Sequence, residues 1–381
     1  MKITLKNTPE QVELIKAMAS RNREVAYEAQ TALAEFIGPV LAEVVNNAPA
    51  LSNLFTTLQY NADDNPSIPL DLYFDVSDED YVQVYSQSRA GGLPTSEVLP
   101  TSAELKIATY SLDSAVSFDR RYAAKSRMDV VAKTMTRVAQ EILLKQNTIS
   151  ANVILKALAN ASTNSLKHII SSVANDRFVL ADLNALVTRS KRISTSFVGG
   201  TPDARQSRGV TDIICGPEIV EELRAIAYNP INTKGATSGS VTPVATPDVI
   251  AEQAYSAAGA PEFYGLNVIE LNEFGGFGTA QGQAFDSVFA THAGSTQYPK
   301  ADGSGTDTYA AATDALIVGI DRSRESLIRP VAVDSENGGE FNLIADDQYS
   351  IRQNKIGYFG SLEEGRVVLD DRALVGVIVN S

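Results

Sequence analysis

Few side chains in this sequence are of a type that does chemistry. There are two histidines, His168 and His292, and a single cysteine, Cys215. A zinc site takes several nitrogen or sulfur ligands, and neither histidine has another histidine or a cysteine at ligand spacing. A nucleophilic cysteine needs a nearby base, although a helix N-terminus also lowers a thiol pKa. Cys215 stands at the end of an expected strand, before Gly216-Pro217, and reads as a small apolar core residue. His168, within Leu166-Lys-His-Ile-Ile170, reads as a residue at a packing edge. One cysteine excludes an intrachain disulfide framework.

Two loop sequences invite a binding reading. Gly276-Phe-Gly-Thr-Ala-Gln-Gly282 resembles a nucleotide-binding glycine turn. A dinucleotide site needs that turn to open a helix whose N-terminus meets the pyrophosphate. The residues that follow, Gln283-Ala-Phe-Asp-Ser-Val-Phe289, alternate like a strand, so the turn is read as a loop. Asp302-Gly-Ser-Gly-Thr-Asp307 and Asp75-Val-Ser-Asp-Glu-Asp80 could be calcium loops. An EF-hand, however, needs Gly at its sixth position and Glu at its twelfth. Counted from Asp302, those positions hold Asp307 and Thr313, so both runs read as solvated turns. Arg189, Lys191 and Arg192 fall near an expected helix C-terminus, where the dipole favours cations without any nucleic acid. No catalytic residue, cofactor site or metal site is assigned.

Composition narrows the class further. The balance of 32 Lys and Arg against 46 Asp and Glu gives a net charge of −14, which argues against a basic nucleic-acid-binding surface. Hydrophobic residues make up 44% and charged residues 20%, enough to bury a real core. A length of 381 residues suits two or three domains. No apolar run reaches the length of a membrane span, and no membrane partner is expected. The start, MKITLKNTPEQ, lacks the apolar centre of a signal peptide, so export is not expected. These counts point to a structural or binding protein rather than a histidine-driven enzyme. Carboxylate or Ser/Lys chemistry stays open.

The elements follow from periodicity. Met1–Phe55 reads as one long helical arm. Thr8-Pro9-Glu10-Gln11 predicts its start, with Thr8 as cap and Gln11 completing a capping box. Ile15, Met18, Ala26, Ala29, Leu33, Ile37, Val40 and Val44 recur at helical spacing. Gly38-Pro39 predicts a kink. Gln59–Phe118 then alternates in the period-2 manner of strands and turns at Arg89-Ala-Gly-Gly-Leu-Pro94. Such an isolated hairpin is marginally stable in water, so it needs a surface to lie on, which a neighbouring subunit could provide.

Arg127–Asn160 carries the strongest helical stripe and would span roughly 50 Å, a structural spine. Helices are expected at Leu180–Ser194 and Glu218–Ala227, and strands at Val210–Cys215, Leu266–Leu271 and Ala315–Ile320. Phe274–Thr313 reads as loop with one strand at Ser287–Thr291. The last strands are Phe341–Ala345, Tyr349–Phe359 and Ala373–Val379.

Read in order, this is a helical arm, a long β-excursion, the run Ala115-Val-Ser-Phe-Asp-Arg-Arg121, and a spine helix. The helix has Asn147 in its middle and Leu155-Lys-Ala-Leu158 near its end. A mixed α/β region and closing strands complete it. The arrangement resembles the major capsid protein of tailed bacteriophages, with its α+β Hong Kong 97-like fold. The resemblance covers nearly the whole chain and rests on architecture rather than on a diagnostic motif.

The resemblance implies an N-terminal arm at 1–57, an extended loop at 58–117 and an axial domain at 174–329. The peripheral domain would combine the spine region 118–173 with strands from 330–381. It implies intersubunit contacts at Arg89, Gly91, Gly92, Leu93 and Pro94 in the loop tip and at Pro39 in the arm. It also implies homo-oligomeric hexameric and pentameric capsomers and a portal, with a scaffolding or decoration protein where one exists. The product would be a virion head, assembled in the host cytoplasm around double-stranded DNA without sequence-specific binding. The residues before the loop suffice for the arm alone, so any scaffold would be separate. Two other readings stand beside this one: an encapsulin-like cellular compartment shell and an acidic cytosolic α/β enzyme. The arm itself is not strongly basic. Lys2, Lys6, Lys16, Arg21 and Arg23 face Glu10, Glu13, Glu24, Glu28, Glu35 and Glu43, and an acidic wall would repel DNA.

Overall fold

The computed structural model describes residues 8–46, 51–61, 66–69, 104–125, 128–163, 165–174, 177–193, 209–228, 262–263, 265–275, 283–333, 340–346 and 354–380. The chain begins with α1 (Pro9–Met18), α2 (Arg23–Asn46), β1 (Thr56–Asn61) and β2 (Ser67–Pro69). Then come β3 (Glu104–Lys106), β4 (Thr109–Asp119), α3 (Arg120–Ala124) and the 33-residue α4 (Met128–Asn160). The middle holds β5 (Ser162–Thr163), β6 (Leu166–Lys167), β7 (Ile169–Ser171), α5 (Leu180–Ile193), β8 (Asp212–Cys215) and α6 (Pro217–Tyr228). It continues with β9 (Glu262–Phe263), β10 (Leu266–Glu270), α7 (Ala284–Ala293), β11 (Gln297–Pro299), β12 (Thr306–Thr308) and β13 (Ala315–Ile320). Last are β14 (Leu327–Val333), β15 (Asn342–Asp346), β16 (Lys355–Gly365), β17 (Val367–Val368) and β18 (Leu374–Val379).

Two units divide these elements. The first comprises Met1–Ile68, Glu104–Ser150 and Leu327–Val367; the second comprises Pro69–Ala103, Ala151–Ser326 and Val368–Ser381. Of the closing strands, β14, β15 and β16 belong to the first unit and β18 to the second.

In the first unit β16 is the centre of a six-stranded sheet. All of it pairs antiparallel with β4, from Lys355 opposite Asp119 to Gly365 opposite Thr109. Its other edge is shared by β15, with Leu343 opposite Gly360, and β14, with Val331 opposite Glu364. β14 in turn pairs parallel with β1. The sheet's inner face packs on helices. Ile15 and Met18 of α1, Leu33, Ile37 and Leu41 of α2, and Val131, Met135 and Ile142 of α4 are buried in one cluster with Phe118, Ile356, Tyr358 and Leu362. Burying each such side chain contributes about 1.5–3 kcal/mol. A Cβ on Gly360 would lie 2.5 Å from the ring tip of Phe341, so any larger residue there would have to displace that ring.

The arm differs from its sequence reading. It is two helices rather than one, although neither Gly nor Pro marks the break. The amides of Ala19 and Ser20 close α1 on the carbonyls of Lys16 and Ala17, at 3.0 and 2.9 Å. Arg120 reaches back to donate to the Ala19 carbonyl at 3.1 Å, and Asn22 Oδ1 accepts from the amide of Glu24 to start α2. The capping box at Thr8 is also absent: Thr8 is extended and makes no side-chain cap. α2 continues as helix through Gly38-Pro39. Further on, Asp119 ends β4 and caps α3, accepting from the amide of Arg121 at 2.9 Å.

One charged cluster is buried in this unit. Glu364 is fully buried and accepts from Arg329 Nε at 2.7 Å, Arg366 Nη1 at 2.8 Å, Gln146 Nε2 at 3.0 Å and Tyr110 OH at 2.8 Å. Arg366 Nη1 also donates to the Gln146 carbonyl at 3.2 Å and to the Tyr110 oxygen at 2.8 Å. Its guanidinium lies 5.7 Å from the centroid of the Phe55 ring. Burial pulls the Arg366 pKa down, and the Glu364 charge opposes that pull. Burial likewise pushes the Tyr110 phenol up, with Arg366 opposing it. One carboxylate thereby joins β4, β14, β16 and α4.

The second unit is built on another six-stranded sheet, in the order β7-β18-β13-β8-β10-β9. Every residue of β8, β13 and β18 is buried, and apart from Asp212 at the start of β8 these strands read as continuous apolar runs. Leu183, Leu186 and Ile193 of α5 and Ile219, Val220 and Leu223 of α6 pack with them. The strand expected at Ser287–Thr291 is instead part of α7. Phe285, Phe289 and Ala293 all point inward at four-residue spacing, and a capping box between Gln283 and Asp286 starts the helix. Glu104–Tyr110 is likewise interrupted at Ile107, whose amide donates to the Pro66 carbonyl.

His168 sits at the start of β7 and is fully buried, not at a packing edge. Its Nδ1 lies 3.0 Å from the carbonyl oxygens of both Asp371 and Leu374, which places the proton on that nitrogen. Nε2 then accepts from the Thr163 hydroxyl at 2.9 Å. Burial holds the imidazole pKa below its ordinary 6.5, against the opposing charges of Asp371 and Asp370.

Two predictions follow from these buried groups. Glu364→Ala strands two guanidinium groups, and it should cost about 3–5 kcal/mol in chemical denaturation. For His168, the unfolded chain binds the extra proton more readily, so its contribution is full above about pH 6.5 and is lost as pH falls from there toward the lowered folded value. The drop in thermal midpoint between pH 7.5 and 5.5 should be smaller in His168→Gln than in the parent; equal drops would refute this.

Candidate functional site

Among the described residues, chemistry-bearing side chains do not converge on a site. The acceptor positions of Glu364 are engaged by four donor side chains, which leaves no lone pair positioned to act as a base. Cys215 is fully buried at the end of β8, and burial, aided by Glu270, pushes its thiol up to about 12. A thiol held neutral in this way is inert, in agreement with the core assignment. His292 Nε2 lies 2.8 Å from Asn152 Oδ1 at an exposed position.

The glycine turn at 276–282 lies outside the described residues. A helix, α7, does follow it, so the strand-based reason for dismissing a phosphate there fails. A different reason takes its place. The carboxylate of Asp286 already occupies the N-terminus of α7, accepting from the amides of Gly275 at 2.6 Å and Gln283 at 3.3 Å and from Tyr309 OH at 2.9 Å. Burial raises its pKa, and the two amides and the tyrosine oppose that. A phosphate would meet a filled, acidic position.

The acidic run from Asp302 is a turn. Asp302 accepts from the amide of Ser304 at 2.9 Å, and Asp307 pairs with Lys300 at 3.4 Å. Among the described residues no group of three His, Cys, Asp or Glu could hold a metal ion. The run from Asp75 lies outside the described residues.

The surfaces are more informative than the clefts. Among the described residues no strand pairs with the outer side of β1, and five of its six residues are exposed. Leu58 is 43% exposed within it. Beside the strand runs a groove of about 540 Å³ lined in part by Phe55, Thr57, Leu58, Gln59, Arg329 and Glu340. Gln59 Nε2 donates to Glu340 Oε1 across it at 3.0 Å. On its inner wall Arg329, opposite Thr57 in the parallel register, is one of the partners of Glu364.

A second surface is the outer flank of α2. Val25, Phe36 and Val40 recur at helical spacing and are exposed, with Phe36 at 55%. The adjoining face of the helix, about a quarter turn round, supplies Leu33, Ile37 and Leu41 to the core. Pro39 lies in the same helix. The tip residues Arg89, Gly91, Gly92, Leu93 and Pro94 lie outside the described residues.

Sequence reasoning missed the Glu364 cluster and the edge character of β1. Both left a signal. Arg329 interrupts the apolar run Leu327–Val333, and Glu364 has the same strand parity as Ile356, Tyr358 and Leu362. A charge at a core-facing parity demands a buried partner.

No protein-family model and no curated protein matches the chain. Solved structures do. The capsid of a native GTA particle superposes with a TM-score of 0.50 at 11% identity, over 87% of this chain and 90% of that one. The capsid of an empty GTA particle gives 0.49 at 11% identity, over 88% and 91%. An encapsulin complex from Synechococcus elongatus gives 0.43 at 13% identity, over 88% and 89%. The likeness to the native particle is one of architecture and runs through nearly the whole of both chains. The protein therefore has the α+β Hong Kong 97-like capsid fold.

Proposed function

We propose that this chain is the major capsid protein of a tailed bacteriophage. Copies of it form hexameric and pentameric capsomers that close into an icosahedral head around double-stranded DNA. The observation that carries the reading is the fold shared with the capsid of the native GTA particle over 87% of the chain. The absence of converging chemistry among the described residues is consistent with a structural role, and so is the charge of −14. An acidic wall repels DNA and lets an incoming duplex slide past it.

The domain map follows the same reading. The arm is 1–57, the extended loop 58–117, the peripheral domain 118–173 with strands from 330–381, and the axial domain 174–329. The loop tip, Arg89 with Gly91, Gly92, Leu93 and Pro94, reaches an adjacent subunit, and the arm around Pro39 makes further contacts. Each contact is weak on its own, and many per subunit sum to a stable shell while leaving errors correctable. Partners outside the shell are a portal and, where present, a scaffolding or decoration protein. Assembly takes place in the host cytoplasm, and the product is the virion head.

Expressed protein should form closed particles of uniform diameter in negative-stain electron microscopy, with a mass in the megadalton range. A small soluble oligomer overturns the shell and favours an acidic α/β enzyme. Particles recovered from the native host should contain double-stranded DNA and a portal; an enclosed enzyme would identify a cellular compartment instead. Deleting Ala90–Leu93 should abolish closed particles and leave the circular dichroism and thermal midpoint of the subunit unchanged. Intact shells from that deletion would remove the tip from the interface.

A further inference from the structure

We propose that the bare apolar stripe of α2 is a docking surface for the first seven residues of the same chain, Met1-Lys-Ile-Thr-Leu-Lys-Asn7. The inference stands on the arm alone and does not require the shell.

The surface sets what an occupant must bring. At about 100° per residue, Val25, Ala32, Phe36 and Val40 fall within about 40° of one line along the helix. All four are exposed. The core face lies on one side of that line. Glu35 lies on the other, about a quarter turn from Phe36, and Glu43 closes the stripe about two turns beyond Phe36. Both glutamates are exposed. The one cation of α2 is Arg23, at its start. An occupant therefore has to supply apolar side chains and positive charge.

The path of the chain selects the occupant. Four residues, Ala19–Asn22, join α1 to α2, a length at which two helices pack antiparallel. Ile15 and Met18 of α1 accordingly share a core cluster with Ala29 and Leu33 of α2. Traced backward from Met18 to Pro9, α1 rises about 14 Å, which brings its first residue level with Ala32. Phe36 and Val40 stand about one and two turns farther on in that same direction. Residues 1–7, which precede α1, lie outside the described residues. Val40 is about 12 Å beyond the level of Pro9, and seven extended residues reach up to about 23 Å.

Sequence completes the match. Lys2 and Lys6 are the only charged side chains in residues 1–7, and Ile3 and Leu5 stand between them. Ile3 and Leu5 supply the apolar contact with Phe36 and Val40, Lys6 faces Glu35, and Lys2 faces Glu43. Exposed ion pairs contribute little each. The segment is attached to α1, however, so docking is intramolecular and weak contacts suffice. A second copy would instead have to bring a chain of net charge −14 against this acidic flank.

The chain contains no tryptophan, so Phe36→Trp puts a single emitter on the stripe. Docking that covers half of the exposed ring halves its accessible surface, so deleting Lys2–Asn7 should raise acrylamide quenching of that indole about twofold. The rise should be the same at every dilution of the unassembled protein. Equal quenching with and without the segment overturns the proposal. Shielding that is lost on dilution also overturns it and assigns the stripe to a second copy. Lys2→Glu combined with Lys6→Glu should match the deletion, and adding Glu35→Lys and Glu43→Lys to that variant should restore the shielding. Shielding that the first pair leaves unmoved, or that the second pair fails to restore, overturns the proposal as well. Positions 35, 36 and 43 are exposed, so these changes should leave the circular dichroism of the protein unaltered.

Discussion

A single carboxylate organises the first unit. Glu364 faces the interior of the sheet, where an unpaired charge would be prohibitively expensive. It is tolerated because Arg329, Arg366, Gln146 and Tyr110 all donate to it. Those four partners come from different stretches of the chain, so the cluster cannot form until the strands and the long helix have met. Apolar packing alone tolerates small slips of register. A five-member polar cluster tolerates less, because displacing Glu364 or one of its donors breaks a buried, charge-assisted hydrogen bond. The long pairing of β4 with β16 and the short contact between β14 and β16 therefore share one fixed register. The exposed strand β1 inherits that register through β14.

Much of this architecture was legible in the sequence, and the misses have physical causes. The stripe in α4 and the continuous apolar runs of β8, β13 and β18 are strong signals because each corresponds to one burial pattern. The break between α1 and α2 carries no Gly or Pro; its marks are Asn22, which caps the start of α2, and Arg120, distant in sequence, which donates to the Ala19 carbonyl. Ser287–Thr291 reads as a strand because Phe285 and Phe289 satisfy both an alternating and a four-residue template. The capping by Gln283 and Asp286 decides between them. The sites fared unevenly. Cys215 is the inert core thiol that its surroundings suggested. The Glu364 cluster was missed because its members are ordinary surface residue types, and only their parity within apolar strands marks them as buried.

The buried cluster also decides which charges stand beside β1. Arg329, opposite Thr57 in the parallel register, is paired with Glu364, whereas Glu340 and Glu363 accept from neutral donors, among them Gln59 and Tyr60.

The place of β18 has a bearing on timing. Its residues lie between β13 and β7, with Gly376 beside both Val318 and Ile169. The sheet of the second unit therefore has a gap at its interior until residues 374–379 have left the ribosome. β16 stands in the same relation to the first unit, where it is the central strand. Pairings between residues so far apart in the chain are slow to form. A growing chain therefore leaves both sheets open at their interior until residues 355–365 and 374–379 have been made.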